Sequence, residues 1–218
     1  MVALRRRDLL LLAGSGTVFL ERLRASDSDF WNRKPPMDWT PEEIERLLNA
    51  SPWAKEITPT YTSLPPATDN RPWSENPPIG RAPIPSTRER KISLKAPYRA
   101  IVRWESADPI RNAQKTALTA AFRDHYVLGI FFGYATRRDL GANPIENLKD
   151  SAVLRSNRAV DAAIVQVSPG TPDGFLVGFP KTSASGVKQW EFSARVGLLA
   201  LKAKFDTREM LYRGQLAL

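Results

Sequence analysis

Hydrophobic and polar positions between residues 98 and 205 follow two periods, and the switches from one to the other mark the elements. Tyr98, Ala100, Val102 and Trp104 alternate with Arg99, Ile101, Arg103 and Glu105, the period of two expected of a strand with one buried face. Asp108-Pro109 then opens a helix in which Ile110, Ala113, Ala117, Leu118, Ala121 and Phe122 recur at helical spacing and face a sheet. The run Tyr126 to Tyr134 is almost continuously apolar, which predicts a central strand covered on both sides. A second helix is expected from Asn143 to Ser151. Beyond it the pattern is all-β, with strands over 162–167, 175–179, 187–196 and 198–205 separated by turn-forming residues. In the last pair Trp190, Phe192, Ala194 and Val196 share one face, as do Leu199, Leu201, Ala203 and Phe205, which predicts a hairpin turning at Gly197. The expected class is α+β, a mixed or largely antiparallel sheet with one or two helices packed on it.

Ahead of this domain, assigned to residues 91–218, the pattern is sparser. Thr40-Pro41-Glu42-Glu43 combines an N-cap threonine, proline at the first helical position and glutamate three residues after the cap, a capping box. Ile44, Leu47 and Leu48 follow on one face, and Ser51-Pro52 stops the helix, because the residue before a proline is pushed out of the helical region. Such a helix of about ten residues is unstable alone in water and must dock on its own domain or on a partner. Residues 26–56 thus read as a tryptophan-rich arm. Residues 57–90 hold eight of the eighteen prolines and read as an extended linker or strap. Trp31, Trp39, Trp53 and Trp73 lie in or beside these weakly patterned segments, where large aromatics serve as anchors. Docking of the arm on its own domain is the favoured use of Trp39, Ile44, Leu47, Leu48, Trp53 and Trp73, and partner binding the alternative.

Residues 1–25 change the picture again. Arg5-Arg6-Arg7-Asp8 precedes an apolar stretch reaching about Leu20, the order of a secretory signal. Arg6-Arg7 followed by Asp8-Leu9-Leu10 resembles a twin-arginine export signal. The apolar part is shorter than the roughly 20 residues needed to span a bilayer, so no integral membrane span is expected. The competing reading is a cytoplasmic amphipathic helix. Net charge is +9; residues 1–25 carry five arginines and two acids, so a processed chain would keep about +6. That suits nucleic acid, an anionic envelope polymer or lipid headgroups and selects none of them.

The chain has no cysteine, which excludes disulfides, thiolate nucleophiles, cysteine-ligated metals and a lipoprotein anchor. His125 is the single histidine, and with no Gly-x-Ser-x-Gly elbow present a structural place at a strand end is favoured over a triad. Carboxylate pairs meet only in the fold, and Glu105, Asp108 and Glu191 are the acids to inspect for hydrolysis. Ser183, Ser185 and Lys181 read as a loop rather than a serine–lysine site. Arg99 and Arg103 on one strand and Lys202 and Lys204 on another would make a basic sheet face, or simply solvated charges that discourage edge pairing. No cofactor motif is present.

The segments Asp38-Trp39-Thr40, Ser51-Pro52-Trp53-Ala54-Lys55 and Lys204-Phe205-Asp206-Thr207-Arg208-Glu209-Met210-Leu211-Tyr212-Arg213-Gly214-Gln215-Leu216 resemble a group of uncharacterised exported bacterial proteins of acidobacterial type. The resemblance implies an exported location, periplasmic or secreted, and carries no activity and no functional residue with it. The leading expectation is a non-enzymatic envelope or secreted protein that binds a protein or an anionic polymer. The alternatives are an exported hydrolase working through carboxylates and, less favoured, a basic nucleic-acid-binding protein.

Overall fold

The computed structural model describes residues 29–62 and 95–218, apart from positions 136, 170, 172 and 173. The described residues form two five-stranded antiparallel sheets packed face to face, with a small hairpin beside them. The α+β class and antiparallel pairing are as expected; the single expected sheet is two. In chain order the first sheet takes β1 (Ala54–Ile57), β3 (Ala100–Trp104), β4 (His125–Phe132), β7 (Ile164–Val167) and β8 (Gly174–Pro180), in the spatial order β1-β3-β4-β8-β7. The second takes β2 (Thr60–Tyr61), β5 (Val153–Arg155), β6 (Ala159–Asp161), β9 (Gln189–Val196) and β10 (Leu199–Asp206), in the order β2-β10-β9-β5-β6.

The core lies between the sheets because each strand places its alternate apolar residues there. Trp104, Leu128, Ile130, Val177 and Phe179 of the first sheet meet Trp190, Phe192, Val196, Leu201 and Phe205 of the second, all essentially buried. Rings cross the interface edge to face: Trp104 with Phe205 at 5.5 Å, Trp104 with Trp190 at 6.0 Å and Phe179 with Phe192 at 6.2 Å. β4 occupies the middle of its sheet and is covered on both faces. Its Val127 packs with Phe122 and Leu176 in a separate small cluster on the side away from the second sheet.

Both lateral seams of the sandwich are closed by the chain itself. At one side β1 pairs with β3, turns at Thr58-Pro59, and continues as β2 against β10. Proline suits this corner, since it has no N–H to leave unpaired, and its carbonyl accepts from the Ala96 amide at 2.8 Å. At the other side β6 pairs with β5 and β7 with β8. Between them the Ala162 amide donates to Ala152 O in one sheet and the Ala163 amide to Gly178 O in the other.

Residues 29–62 share the core and sheets of the sandwich, so no break is seen at residue 56; the boundary expected at residue 90 lies outside the described residues. α1 (Phe30–Arg33) and α2 (Pro41–Asn49) bring Phe30, Trp31, Trp39, Leu47 and Trp53 into the same core as the sheets. The capping box of α2 is formed in both directions: the Glu43 amide donates to Thr40 Oγ1 at 3.2 Å, and the Thr40 amide to Glu43 Oε2 at 3.0 Å. Arg6, Arg7, Trp73 and the rest of the proline-rich stretch lie outside the described residues.

The helix expected over 108–122 is shorter. α3 (Asp108–Gln114) ends at Lys115, which takes a left-handed conformation with φ of 54°, and the chain then arches to a 3-10 turn at Ala120–Phe122. Helical spacing of apolar residues persists through this segment, but Ala117 and Ala121 are exposed, so nothing rewards continuing the helix. α4 (Arg137–Leu140) and α5 (Pro144–Ser151) follow β4, and Leu148 of α5 is fully buried. The β9–β10 hairpin turns at Gly197-Leu198 as expected, with Val196 paired to Leu199 and Gly197 at φ of +53°. The small hairpin is β11 (Leu211–Tyr212) with β12 (Gln215–Leu216). Among the described residues no helix is long and apolar enough to cross a membrane.

Candidate functional site

Of the docking candidates, Trp39, Ile44, Leu47, Leu48 and Trp53 pack inside the molecule, and Trp73 lies outside the described residues. Trp53 is completely buried and its indole Nε1 donates to the Ala217 carbonyl at 2.8 Å. Trp39 and Leu47 are buried, and Ile44 and Leu48 pack against the core from the side. Phe30 stacks edge to face on Trp31 and Trp39, and Trp31 on Trp53. The small hairpin holds this arm from outside: Asn32 Nδ2 donates to Leu211 O at 3.3 Å, and the Arg213 amide to Asn32 Oδ1 at 2.7 Å. Lys55 and Glu209 approach to 3.8 Å. The arm and the small hairpin thus form one substructure, although about 150 residues of chain separate them.

The candidate catalytic acids are not brought together. Asp108 is exposed beside Arg111 at 3.6 Å, and Glu191 lies on the outer face of the second sheet, 3.7 Å from Lys204. Glu105 is buried on the outer side of the first sheet. His125 is partly buried at the start of β4, opposite Pro180. Lys181, Ser183 and Ser185 are exposed in the turn after β8, where the Ser185 amide donates to Ser183 Oγ at 3.4 Å.

Arg103 and Arg99 do not form a basic face. Arg103 was expected to point into solvent; it is buried, donating from Nε to Glu105 Oε1 at 2.6 Å and from Nη1 to the Leu48 carbonyl at 3.2 Å. Its guanidinium lies 4.4 Å from the Phe131 ring centroid. Gly129 makes this stack fit, since a Cβ there would come within 2.5 Å of the Phe131 ring and 2.6 Å of Glu105 Oε1. Burial pushes the Glu105 carboxyl above its ordinary pKa, while the Arg103 charge and the hydrogen bonds from Arg103 and Gln114 pull it back. Arg99 is exposed and ion-paired to Glu56.

The cleft with the most varied chemistry is at the end of the sandwich where β2 ends, β3 begins and β4 leaves the sheet. It encloses about 720 Å³ between Tyr61, Pro97, Tyr98, Arg99, Gly133, Tyr134, Arg138 and Asp139. Antiparallel pairing builds it, because Ala100 opposes Phe132, so the residues preceding one strand stand beside those following the other. Asp139 is buried at the base and accepts from the Tyr61 hydroxyl at 3.2 Å. Its backbone carbonyl caps the β9–β10 turn by accepting from the Leu198 amide at 2.9 Å. Tyr98 is partly buried; burial first, then the Asp139 charge and Tyr61, push its hydroxyl well above the usual phenol range. At the mouth Tyr134 is 86% exposed, and Arg99 and Arg138 are exposed as well. Aromatic faces next to guanidinium groups can stack on a ring and pair with an anion in one ligand.

None of the cleft residues except Arg99 was singled out from sequence. Their signal was present, since Pro97-Tyr98-Arg99 enters one strand and Gly133-Tyr134 leaves the next, with Arg138-Asp139 soon after. No family model, no curated protein and no solved structure matches the chain.

Proposed function

We propose that this chain is an exported, non-enzymatic binding protein of the cell envelope or its surroundings, and that the end cleft holds an anionic polymer. The observation that carries this reading is Tyr134, exposed at the mouth of a cleft that also presents Arg138, with Arg99 beside it in its ion pair to Glu56, over a floor of tyrosines. A large aromatic left in water on an otherwise well-buried fold is a ready contact surface. Arginine beside it matches carboxylate or phosphate groups along a polymer. Binding is favoured over hydrolysis because Glu105, Asp108 and Glu191 are each committed to a cation of the protein. The export half of the proposal rests on the Arg6-Arg7 signal.

Two measurements test the proposal. Expression of the full chain in a bacterium with a working twin-arginine pathway, beside an Arg6→Lys/Arg7→Lys control, should place the native protein outside the cytoplasm and the control inside. Native protein retained in the cytoplasm overturns export. Titration with an acidic polysaccharide such as polygalacturonate should show salt-sensitive binding, weakened about tenfold by Tyr134→Ala or Arg138→Ala. Equal binding of a neutral polysaccharide overturns the ligand class, and tighter binding of single-stranded DNA moves the protein to the nucleic-acid reading.

A further inference from the structure

The outer side of the first sheet carries a second, smaller pocket at the opposite end of β3 from the cleft. It encloses about 260 Å³, room for about eight waters at ~30 Å³ each or for one compact molecule. Its walls combine the neutral hydrogen-bonding side chains of Gln114, Gln166 and Ser168 with the apolar Leu118 and Leu176, and Glu105 closes the inner end.

Three features distinguish this pocket from an accidental gap. The arch above it exists because α3 stops at Lys115, a non-glycine residue held at φ of 54°. That conformation costs about 1–2 kcal/mol, and the chain adopts it instead of laying a longer helix onto the sheet. Phe122 then anchors the far end of the arch over Gly178, where a Cβ would come within 2.9 Å of its ring, and midway Leu118 leans on the cluster of Phe122, Val127 and Leu176, so the arch forms a fixed wall of the pocket. The third feature is Glu105. Its carboxylate is 3% exposed, takes the Arg103 Nε at 2.6 Å and a hydrogen bond from Gln114, and with about four acceptor positions a carboxylate held by these two keeps room for a further donor. The Arg103 charge balances it, and Glu105 is the one ionisable side chain among the lining residues. The pocket as a whole therefore offers acceptors and amides without net charge.

We propose that this pocket is a binding site for a neutral sugar unit of hexose size, independent of the end cleft. Glu105 and Gln166 take ring hydroxyls, Gln114 and Ser168 complete the polar side, and Leu118 and Leu176 face the C–H side of the ring. An anion is disfavoured by Glu105 and a cation by Arg103 directly behind it.

The test uses the full chain and ligand-detected NMR with glucose, galactose, mannose and N-acetylglucosamine as probes at millimolar concentration. At least one is expected to show saturable binding. Gln166→Ala removes one polar partner from a partly buried position and should weaken binding about tenfold. Leu118→Trp fills the pocket from the arch and should abolish binding, while Tyr134→Ala in the end cleft should leave it unchanged. Thermal unfolding of each variant checks that the fold is kept. No saturable binding of any of the four sugars overturns the proposal, as does binding that survives both Gln166→Ala and Leu118→Trp. Loss of sugar binding in Tyr134→Ala alone assigns the sugar to the cleft and overturns it equally.

Discussion

Arg103 and Glu105, two residues apart at the end of β3, form an ion pair at 2.6 Å that is almost wholly out of water, at 10% and 3% side-chain exposure. Such a pair contributes little net stability, but breaking it leaves one buried charge alone. Arg103→Met should therefore cost about 3–5 kcal/mol, and Arg103→Met/Glu105→Leu clearly less than that, measured by urea denaturation. The pH dependence has a definite sign. Burial raises the Glu105 pKa above 4.5, and loss of Arg103 removes the largest opposing influence. In Arg103→Met the folded carboxyl keeps its proton where the unfolded one has lost it, so the stability linked to Glu105 is fully present below pH 4.5 and is lost as pH rises through the folded value, over a wider pH range than in the native chain. A native-like pH profile for that variant contradicts the assignment.

Trp53 fastens the arm to the far end of the described chain through Ala217. Trp53→Phe keeps much of the apolar contact but leaves the Ala217 carbonyl without its donor, and should destabilise by about 1–3 kcal/mol. Trp53→Ala opens a cavity in the core as well, for about 3–5 kcal/mol. A negligible effect of either substitution on the denaturation midpoint would show that the arm does not share the cooperative fold.

Gly197 and Gly214 separate two costs of adding a side chain. Both have positive φ, +53° and +77°. A Cβ at Gly214 meets nothing within 4 Å, whereas at Gly197 it would lie 2.2 Å from the Asp139 carbonyl oxygen. Gly214→Ala should cost about 1–2 kcal/mol of backbone strain alone. Gly197→Ala adds a backbone collision to that strain and should cost distinctly more, with the difference visible in thermal melts. Equal costs would mean that the α4 segment moves freely away from the hairpin turn.

Tyr98 and Tyr126 both resist ionisation, chiefly through burial. Their folded pKa values exceed the unfolded value near 10, so the stability linked to them is fully present below pH 10 and is lost as pH rises toward the folded values. An alkaline titration followed by phenolate absorbance should show both groups ionising later than the exposed tyrosines. In Tyr98→Phe and Tyr126→Phe the late phenolate should fall by one equivalent each, with the earlier part of the curve unchanged.

The strong patterns in the sequence were the ones that survived folding. The β9–β10 hairpin was legible because eight-residue alternation on both sides of Gly197 leaves one register that buries both apolar faces. The continuous apolar run of β4 announced a strand covered twice. β1 and β2 were not legible, because four and two residues carrying Lys55, Glu56 and Thr60 show no alternation, and their role is set by the strands they meet. Arg103 was misread because periodicity counts a charge as outward, while the glycine floor, the Phe131 ring and the opposing carboxylate that admit it come from three different strand positions. The end cleft was written in three separated stretches, Tyr61, 97–99 and 133–139, that only the β3–β4 register and the pairing of β2 with β10 bring together.

The arm's last anchor also sets an order of events during synthesis. Trp53 leaves the ribosome 164 residues before Ala217, the residue whose carbonyl it needs. β1 and β2 likewise wait for β3 and β10. Phe30, Trp31, Trp39 and Trp53 can meet one another early, but their closure onto the sheets is a long-range, high-contact-order step. A chain built this way completes its fold late, as a whole.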